Sequence, residues 1–173
     1  MSTTSAYFIP INKFPIGQFK TSVKKALEKL SVIHGYYDEE EESYASGTKI
    51  VFEYAATHDT DKCKLIPEAS SDGYGATCPS CKVDIDETFY DTINDYYDYE
   101  SETGKEKDMS SLSMTCPSCN KKTTLEKIIF TQPATFANQF FQFVDIDREI
   151  PSDLLKQIEL SINSELKVIY EHM

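Results

Sequence analysis

Five cysteines are the residues of this sequence with the clearest potential for chemistry. Four of them form two copies of the tetrapeptide Cys-Pro-Ser-Cys, at Cys78–Cys81 and Cys116–Cys119. In a C-x₂-C pair, one tight turn brings two sulfur atoms to the same ion, and zinc prefers a tetrahedral shell of four ligands. The sequence therefore predicts one structural Zn²⁺, and its four ligands are Cys78, Cys81, Cys116 and Cys119.

Redox chemistry and disulfide bonding are the alternatives for paired cysteines. A C-x-x-C redox pair normally occurs once, at the start of a helix, which does not account for two identical copies. Disulfides form in oxidising compartments, whereas the first residues, MSTTSAYF, lack the basic and apolar regions of a secretory signal. We therefore favour zinc and expect a cytoplasmic protein. Cys63 has no C-x-x-C partner and is interpreted as a partly buried free thiol.

The paired Cys-Pro-x-Cys turns resemble the knuckles of zinc-ribbon proteins, and this resemblance is limited to the Cys₄ site and the strands beside it. It implies a structural metal site and no particular activity. Zinc ribbons often have Gly directly after the second cysteine, where a positive φ is convenient, but Lys82 and Asn120 stand there in this sequence. The 34 residues between Cys81 and Cys116 also predict an insertion between the knuckles.

Residues for catalysis are sparse. The three histidines, His34, His58 and His172, are scattered, and the sequence contains no H-E-x-x-H, no G-x-S-x-G and no Gly-rich phosphate loop. The segment His58–Cys63 could form a second metal or catalytic site, but a polar loop after a strand is the favoured interpretation. Because a closed Cys₄ shell leaves no position for a substrate, we predict that the protein is not an enzyme.

The insertion is acidic and rich in tyrosine. From Asp84 to Asp108 there are ten acidic residues and two lysines. Acidic groups steer a basic partner towards its site, and exposed tyrosine supplies rigid contact area. We therefore predict a surface that binds a basic protein, formed by Asp91, Asp95, Tyr96, Tyr97, Asp98 and Tyr99. The alternative is that the tyrosines pack the insertion onto the ribbon and the acids only keep it soluble.

Composition narrows the classes of function. The 173 residues include 29 acidic and 17 basic side chains, a formal charge of −12 that argues against direct binding to nucleic-acid phosphates. No apolar run approaches the ~20 residues of a membrane span. The first hypothesis is a zinc-stabilised binding or inhibitor module, immunity-like, that covers a basic protein. The alternative is a zinc-ribbon component of a nucleic-acid-handling complex, and the least favoured is a hydrolase that uses the His58–Cys63 loop.

Strand–helix–strand patterns flank the ribbon on both sides. The elements expected outside it are a strand over Tyr7–Ile11, an amphipathic helix from about Ile16 to Ser31, an exposed loop over Asp38–Glu42, a buried strand over Lys49–Ala56, a strand over Phe140–Ile146, a helix from Pro151 to Asn163 and a strand over Leu166–Tyr170. Two such units in one sheet predict an α+β fold with a four-stranded, ferredoxin-like layer.

The domain prediction follows from this order. We expect a single α+β domain over residues 1–173 with an inserted zinc-ribbon subdomain over residues 75–130. Within the insertion, residues 84–99 predict a short helix with Asp86 as N-cap. Residues 100–111 predict a polar connection, and residues 124–131 predict a strand that leaves the second knuckle.

Overall fold

The computed structural model describes residues 4–40, 42–67 and 73–172, with the side chain of His172 excepted. The chain divides into two compact units. Unit 1 comprises Met1–Asp61 and Asn138–Met173, and unit 2 comprises Lys62–Ala137. Each unit has its own hydrophobic core. Among the described residues, no helix combines the length and the apolar character needed to cross a membrane.

The described residues form three helices and ten strands. In chain order they are β1 (Thr4–Pro10), α1 (Gln18–Lys29), β2 (Ile33–Asp38), β3 (Ser43–Ser46), β4 (Tyr54–Ile66), β5 (Ala76–Thr77), α2 (Asp86–Thr103), β6 (Ser113–Thr115), β7 (Lys122–Thr124), β8 (Ile129–Phe130), β9 (Thr135–Val144), α3 (Ser152–Ile162) and β10 (Leu166–His172). Short 3₁₀ turns lie at Met109–Ser111 and Leu125–Lys127.

Six strands form one mostly antiparallel sheet in the order β10-β1-β9-β4-β3-β2. Because β1 is antiparallel to both β9 and β10, these two strands run parallel with β1 between them, and α3 makes the crossover. The mixed fold is therefore confirmed. The sheet has six strands where the sequence predicts four, and the ferredoxin-like description stays a prediction.

The extra strands, β2 and β3, lie in segments for which the sequence predicted no strand. The exposed loop predicted over Asp38–Glu42 is confirmed at Glu39, Glu40 and Glu42, whereas Asp38 is the last residue of β2 and Glu41 lies outside the described residues. The predicted strand over Lys49–Ala56 is wrong for most of its length, because β4 begins at Tyr54. Ile50 and Phe52 are nevertheless buried, and they anchor an irregular segment to the core of unit 1.

The core of unit 1 lies between the sheet and the helices α1 and α3. Each helix buries one apolar stripe, as its periodicity predicts, with Phe19, Val23 and Leu27 on α1 and Leu154 and Ile158 on α3. Phe8 of β1 and Phe141 and Phe143 of β9 belong to the same core. The apolar stripes therefore account for the position of both helices.

Unit 2 contains α2, two small two-stranded sheets, β5–β8 and β6–β7, and the adjoining ends of β4 and β9. α2 packs its buried residues Phe89, Ile93 and Tyr96 into the core of the unit. The polar connection after α2 contributes Met109, which is 1% exposed. The predicted strand over residues 124–131 is divided by the turn at Leu125–Lys127.

Candidate metal centre

The two Cys-Pro-Ser-Cys segments fold into the same turn. In the first, Cys78 N–H donates to the carbonyl of Val83 (2.9 Å), and Lys82 N–H donates to the carbonyl of Cys78 (2.9 Å). In the second, Cys116 N–H donates to Lys121 (3.0 Å), and Asn120 N–H donates to Cys116 (2.9 Å). The residue after each second cysteine has a positive φ, 62° at Lys82 and 57° at Asn120. The turn geometry that favours Gly there is thus present without Gly.

The four sulfur atoms of Cys78, Cys81, Cys116 and Cys119 form a compact cluster. All four lie within 4.8 Å of one another. Across the two turns, Cys78 Sγ is 3.8 Å from Cys119 Sγ, and Cys81 Sγ is 3.7 Å from Cys116 Sγ. A tetrahedron with metal–sulfur bonds of ~2.3 Å has an edge of about 3.8 Å. The four cysteines are therefore positioned to bind one metal ion.

The cluster is anchored on one side and open on the other. Cys78 and Cys116, the first cysteine of each turn, are 1% and 0% exposed and belong to the core of unit 2. Cys119 is half-buried and Cys81 is exposed. Ser80 N–H also donates to Cys78 Sγ (3.4 Å), a bond that stabilises a thiolate. Cys63 is not part of the cluster, and its N–H donates to Asp108 Oδ1 (3.3 Å).

The neighbouring cysteines shift the pKa of the Cys78 thiol down and that of the Cys119 thiol up. The backbone N–H of Cys81 lowers the pKa of Cys78, and hydrogen bonds from Ser80 and two neighbouring thiols overcome the effect of burial, so that the pKa is about 6. The backbone N–H of Lys121 lowers the pKa of Cys119, but burial and the three other cysteines raise it to about 11. Four negative sulfurs repel one another, whereas a bound cation stabilises all four as thiolates.

The segment His58–Cys63 is part of a strand, so the prediction of a polar loop is wrong. Successive side chains in β4 point to opposite faces, which places His58 on one face and Asp59 on the other. His58 stacks on Phe140 with ring centroids 4.9 Å apart. The carboxylate of Asp59 accepts hydrogen bonds from Lys20 N–H (3.0 Å) and from the side chain of Gln139 (2.8 Å). These contacts give both side chains structural roles in unit 1.

The residues predicted to bind a partner differ in exposure. Asp91, Asp95 and Asp98 are exposed on α2. Tyr96 is 5% exposed, and burial raises the pKa of its phenol to about 12, so it does not offer the contact area that the sequence analysis assigned to it. Tyr96 is buried because it shares the apolar face of α2 with Phe89 and Ile93.

The other two tyrosines are half-buried. Tyr97 packs against the core of unit 2, and its ring forms a T-shaped contact with the ring of Tyr96. Lys107 Nζ lies 3.4 Å from the centroid of the Tyr99 ring, a cation–π contact that covers one face of the ring. Tyr97 and Tyr99 therefore remain candidates for contact with a partner.

The exposed acids of α2 form a longer stripe than the sequence analysis identified. Glu87 and Glu102 are also exposed, and their spacing from Asp91, Asp95 and Asp98 puts all five carboxylates on one side of the helix. None of the five forms an ion pair with a described residue. We call these five residues the acidic stripe. The spacing of four, four, three and four residues could have revealed it from the sequence.

Asp86 does not cap α2 as predicted. The N-cap position is Ile85, whose side chain makes no capping hydrogen bond, and the carboxylate of Asp84 accepts a hydrogen bond from Asp86 N–H (2.9 Å) at the start of the helix. The Asp86 carboxylate instead accepts hydrogen bonds from the backbone N–H groups of Gly75 (3.2 Å) and Ala76 (2.7 Å). It therefore ties the first turn of α2 to the segment that leads into the first knuckle.

Comparisons of this chain with protein-family models, with curated proteins and with solved structures find no match.

Proposed function

We propose that this protein is a non-enzymatic zinc-binding module that presents the acidic stripe of α2 to a basic protein partner, as an inhibitor of immunity type does. The observation that carries the proposal is the stripe itself: five exposed carboxylates on one helix face without an ion pair among the described residues. The Cys₄ cluster supports it, because a structural metal gives a small unit a rigid base.

Zinc is the metal that this site suits best. Four thiolates in a tetrahedral shell favour zinc or iron–sulfur chemistry over the hard cations. A single closed shell with sulfur–sulfur separations of 3.7 and 3.8 Å fits one Zn²⁺. Elemental analysis of protein prepared without chelator should find one zinc per chain. A value well below one, or iron in its place, would contradict this part of the proposal.

A stripe of unpaired carboxylates is suited to attract a partner rather than to stabilise its own helix. Like charges at i and i+4 destabilise a helix by a few tenths of a kcal/mol for each pair. Across an interface the same charges steer a basic protein and raise its association rate. Tyr97 and Tyr99 would then supply the short-range contact, because aromatic side chains contribute much of the binding free energy at interfaces.

The experiment has two stages. A pull-down with the chain as bait identifies the partner, and rate constants are then measured at several salt concentrations. Replacing Asp91, Asp95 and Asp98 by Asn should slow association and flatten its salt dependence, with little change in dissociation. Tyr99→Ala should instead speed dissociation, by up to about 2 kcal/mol if the ring anchors the interface.

A matched control separates the stripe from the total charge. Glu39, Glu40 and Glu53 are exposed in unit 1, and their replacement by Gln removes the same number of negative charges. We expect this variant to associate almost as fast as the unchanged protein. If both triple variants slow association equally, the partner responds to net charge and the stripe is not its binding surface.

The lysines around the knuckles favour a second function, in a nucleic-acid-handling complex. Lys82, Lys121, Lys122 and Lys127 are exposed in the part of unit 2 that holds the cysteines. Lysine side chains are suited to phosphate contacts, and such binding weakens steeply with salt. Binding of single-stranded or duplex DNA that depends on salt and is lost on Lys→Gln replacement at these positions would favour this function over the first.

A further inference from the structure

One edge of the six-stranded sheet is regular and the other is not. β10 pairs with β1 without interruption from Leu166 to His172, and it contains no proline. At the opposite edge, β2 pairs with β3 through register shifts, and Gly35 within it has a φ of 68°. Such irregularities discourage the addition of another strand. Among the described strands, β10 is therefore the edge best suited to accept one.

The hydrogen bonds of β10 show which backbone groups face outward. Ile11 N–H donates to the carbonyl of Glu165 (2.9 Å), which fixes the alternation of the antiparallel ladder with β1. By that alternation, the N–H and C=O groups of Val168 and Tyr170 face away from β1. Leu166 N–H lies on the same side and donates to Glu159 Oε1 (2.9 Å). The open part of the edge thus begins at Val168.

We propose that two copies of this chain pair antiparallel through β10, around a two-fold axis at Ile169. In this register, Val168 of each copy lies opposite Tyr170 of the other, and these two pairs exchange four main-chain hydrogen bonds. Lys167 of each copy lies opposite Glu171 of the other in a non-hydrogen-bonded pair, where the Cβ atoms are about 4.5–5.5 Å apart.

The side chains of β10 are complementary to those of a second, antiparallel β10, which favours another copy of this chain over an unrelated strand as the partner. A lysine on an edge strand normally opposes further pairing. The chain's own β10 supplies Glu171 opposite Lys167 on both sides of the axis. Glu171 is 6% exposed and its carboxylate accepts a hydrogen bond from the Tyr7 hydroxyl (2.8 Å), so Lys167 of the other copy approaches a carboxylate that is already held in place. Each Val168 also gains an aromatic neighbour. β-branched–aromatic pairs and opposite charges are both favourable across strands. The interface is isologous, as in most dimers of identical chains.

Helix α3 gives the pairing an additional contact. A two-fold axis through Ile169, perpendicular to the sheet, places the α3 helices of both copies on the same side of the extended sheet. Glu159 of α3 reaches the edge of β10, and the next residue, Leu160, is 82% exposed. Pairing through β10 would bring the two helices together and cover this apolar side chain.

The test is the mass of the zinc-loaded protein in solution at physiological ionic strength, where the repulsion between two chains, each with a formal charge of −12 before the metal site is counted, is screened. Sedimentation from about 1 μM to 1 mM should show a monomer–dimer equilibrium. Val168→Pro should abolish the dimer and leave the fold intact, because proline is tolerated where an edge N–H faces solvent. A monomer at every concentration, or a dimer that survives in a folded Val168→Pro variant, would overturn the proposal.

A charge variant tests the register with less risk to the fold. Lys167→Glu places a carboxylate opposite Glu171 twice, and it should weaken dimerisation roughly tenfold. Lys25→Glu makes the same change of charge at an exposed site on α1 and should have a much smaller effect. Equal effects of the two variants would overturn this register.

Cross-linking tests the axis directly. In a Cys63→Ser background, Ile169→Cys brings two thiols face to face in a non-hydrogen-bonded pair, within the Cα separation that a disulfide requires. Mild oxidation should then give a covalent dimer. Val168→Cys is the matched control, since its thiols would lie diagonally, about 7–8 Å apart. Equal yields from both variants, or no cross-link from Ile169→Cys, would place the axis elsewhere or exclude the dimer.

Discussion

At the scale of single residues, the position after the second cysteine of each knuckle requires a left-handed backbone conformation but accepts different side chains. Both Lys82 and Asn120 take the left-handed conformation, and both donate their N–H to the first cysteine of the turn. Asn adopts this conformation readily, whereas Lys does so at a cost of roughly 1–2 kcal/mol. The two turns are therefore equal in geometry and unequal in strain.

Lys82→Gly should stabilise unit 2. The substitution relieves the left-handed strain of about 1–2 kcal/mol, but Gly also raises the conformational entropy of the unfolded chain, which offsets about 0.4–1 kcal/mol of that gain. The free energy of unfolding should therefore rise by about 0–1.6 kcal/mol. Lys82 is exposed, so that little packing is lost. Thermal unfolding of the metal-loaded protein measures the change. Asn120→Gly is the control, with an expected change near zero, and an equal gain from both variants would contradict the strain argument.

Cys78→Ser or Cys116→Ser should remove the metal. Each takes one thiolate from the cluster, and the metal-binding free energy of such sites is largely folding free energy, about 10–16 kcal/mol in zinc-finger peptides. We expect metal content well below one ion per chain and unfolding of unit 2 before unit 1. Cys63→Ser is the matched control, because Cys63 lies outside the cluster. Loss of metal in that variant would show that the ligand set is wrong.

At the scale of elements, α2 carries acids with opposite effects on stability. Asp86 accepts two backbone hydrogen bonds, whereas Asp91, Asp95 and Asp98 repel one another on the exposed face. Asp86→Ala should lower the free energy of unfolding by about 2 kcal/mol. Replacement of the other three by Asn should raise it by a few tenths of a kcal/mol per pair at low salt, and the gain should fade at ~1 M salt. Denaturant unfolding at both salt concentrations distinguishes the two effects.

The same element scale shows what the sequence could predict and what it could not. α1 and α3 were predictable because each has one apolar stripe of period 3.6, and the cysteine cluster because its motif is local. β2 was missed because five of its six residues are exposed, so no alternation marks it. The middle of β4 was interpreted as a loop because polar residues such as His58 and Asp59 occupy it, and their burial depends on distant partners on β9 and α1.

At the scale of the whole molecule, the chain has two separate cores: that of unit 1 depends on apolar burial, and that of unit 2 also contains cysteines of the metal cluster. The core of unit 1 is formed mainly by apolar side chains such as Phe8, Phe141 and Phe143, and it contains none of the four clustered cysteines. The core of unit 2 includes Cys78 and Cys116 themselves. The sulfur atoms of the cluster lie within 4.8 Å of one another, and a bound cation stabilises them there, so removal of the metal should weaken this core. Metal should therefore stabilise the units unequally.

Removal of the metal by a chelator should unfold unit 2 while unit 1 persists. Amide hydrogen exchange is measured before and after chelation. The backbone amides of Phe89 and Met114 should lose their protection from exchange, whereas those of α1, α3 and β1 should keep it. Restoring zinc should restore protection, because binding and folding are coupled in such sites. Asp86→Ala serves as the matched comparison, because this substitution weakens unit 2 and leaves the cysteines in place. The amides of unit 2 in this variant should still gain protection when zinc is added. A single transition in which both units lose protection together would contradict the independence of unit 1 from the metal. Exchange in unit 2 that does not respond to the chelator would mean that the cysteine cluster does not hold this unit folded.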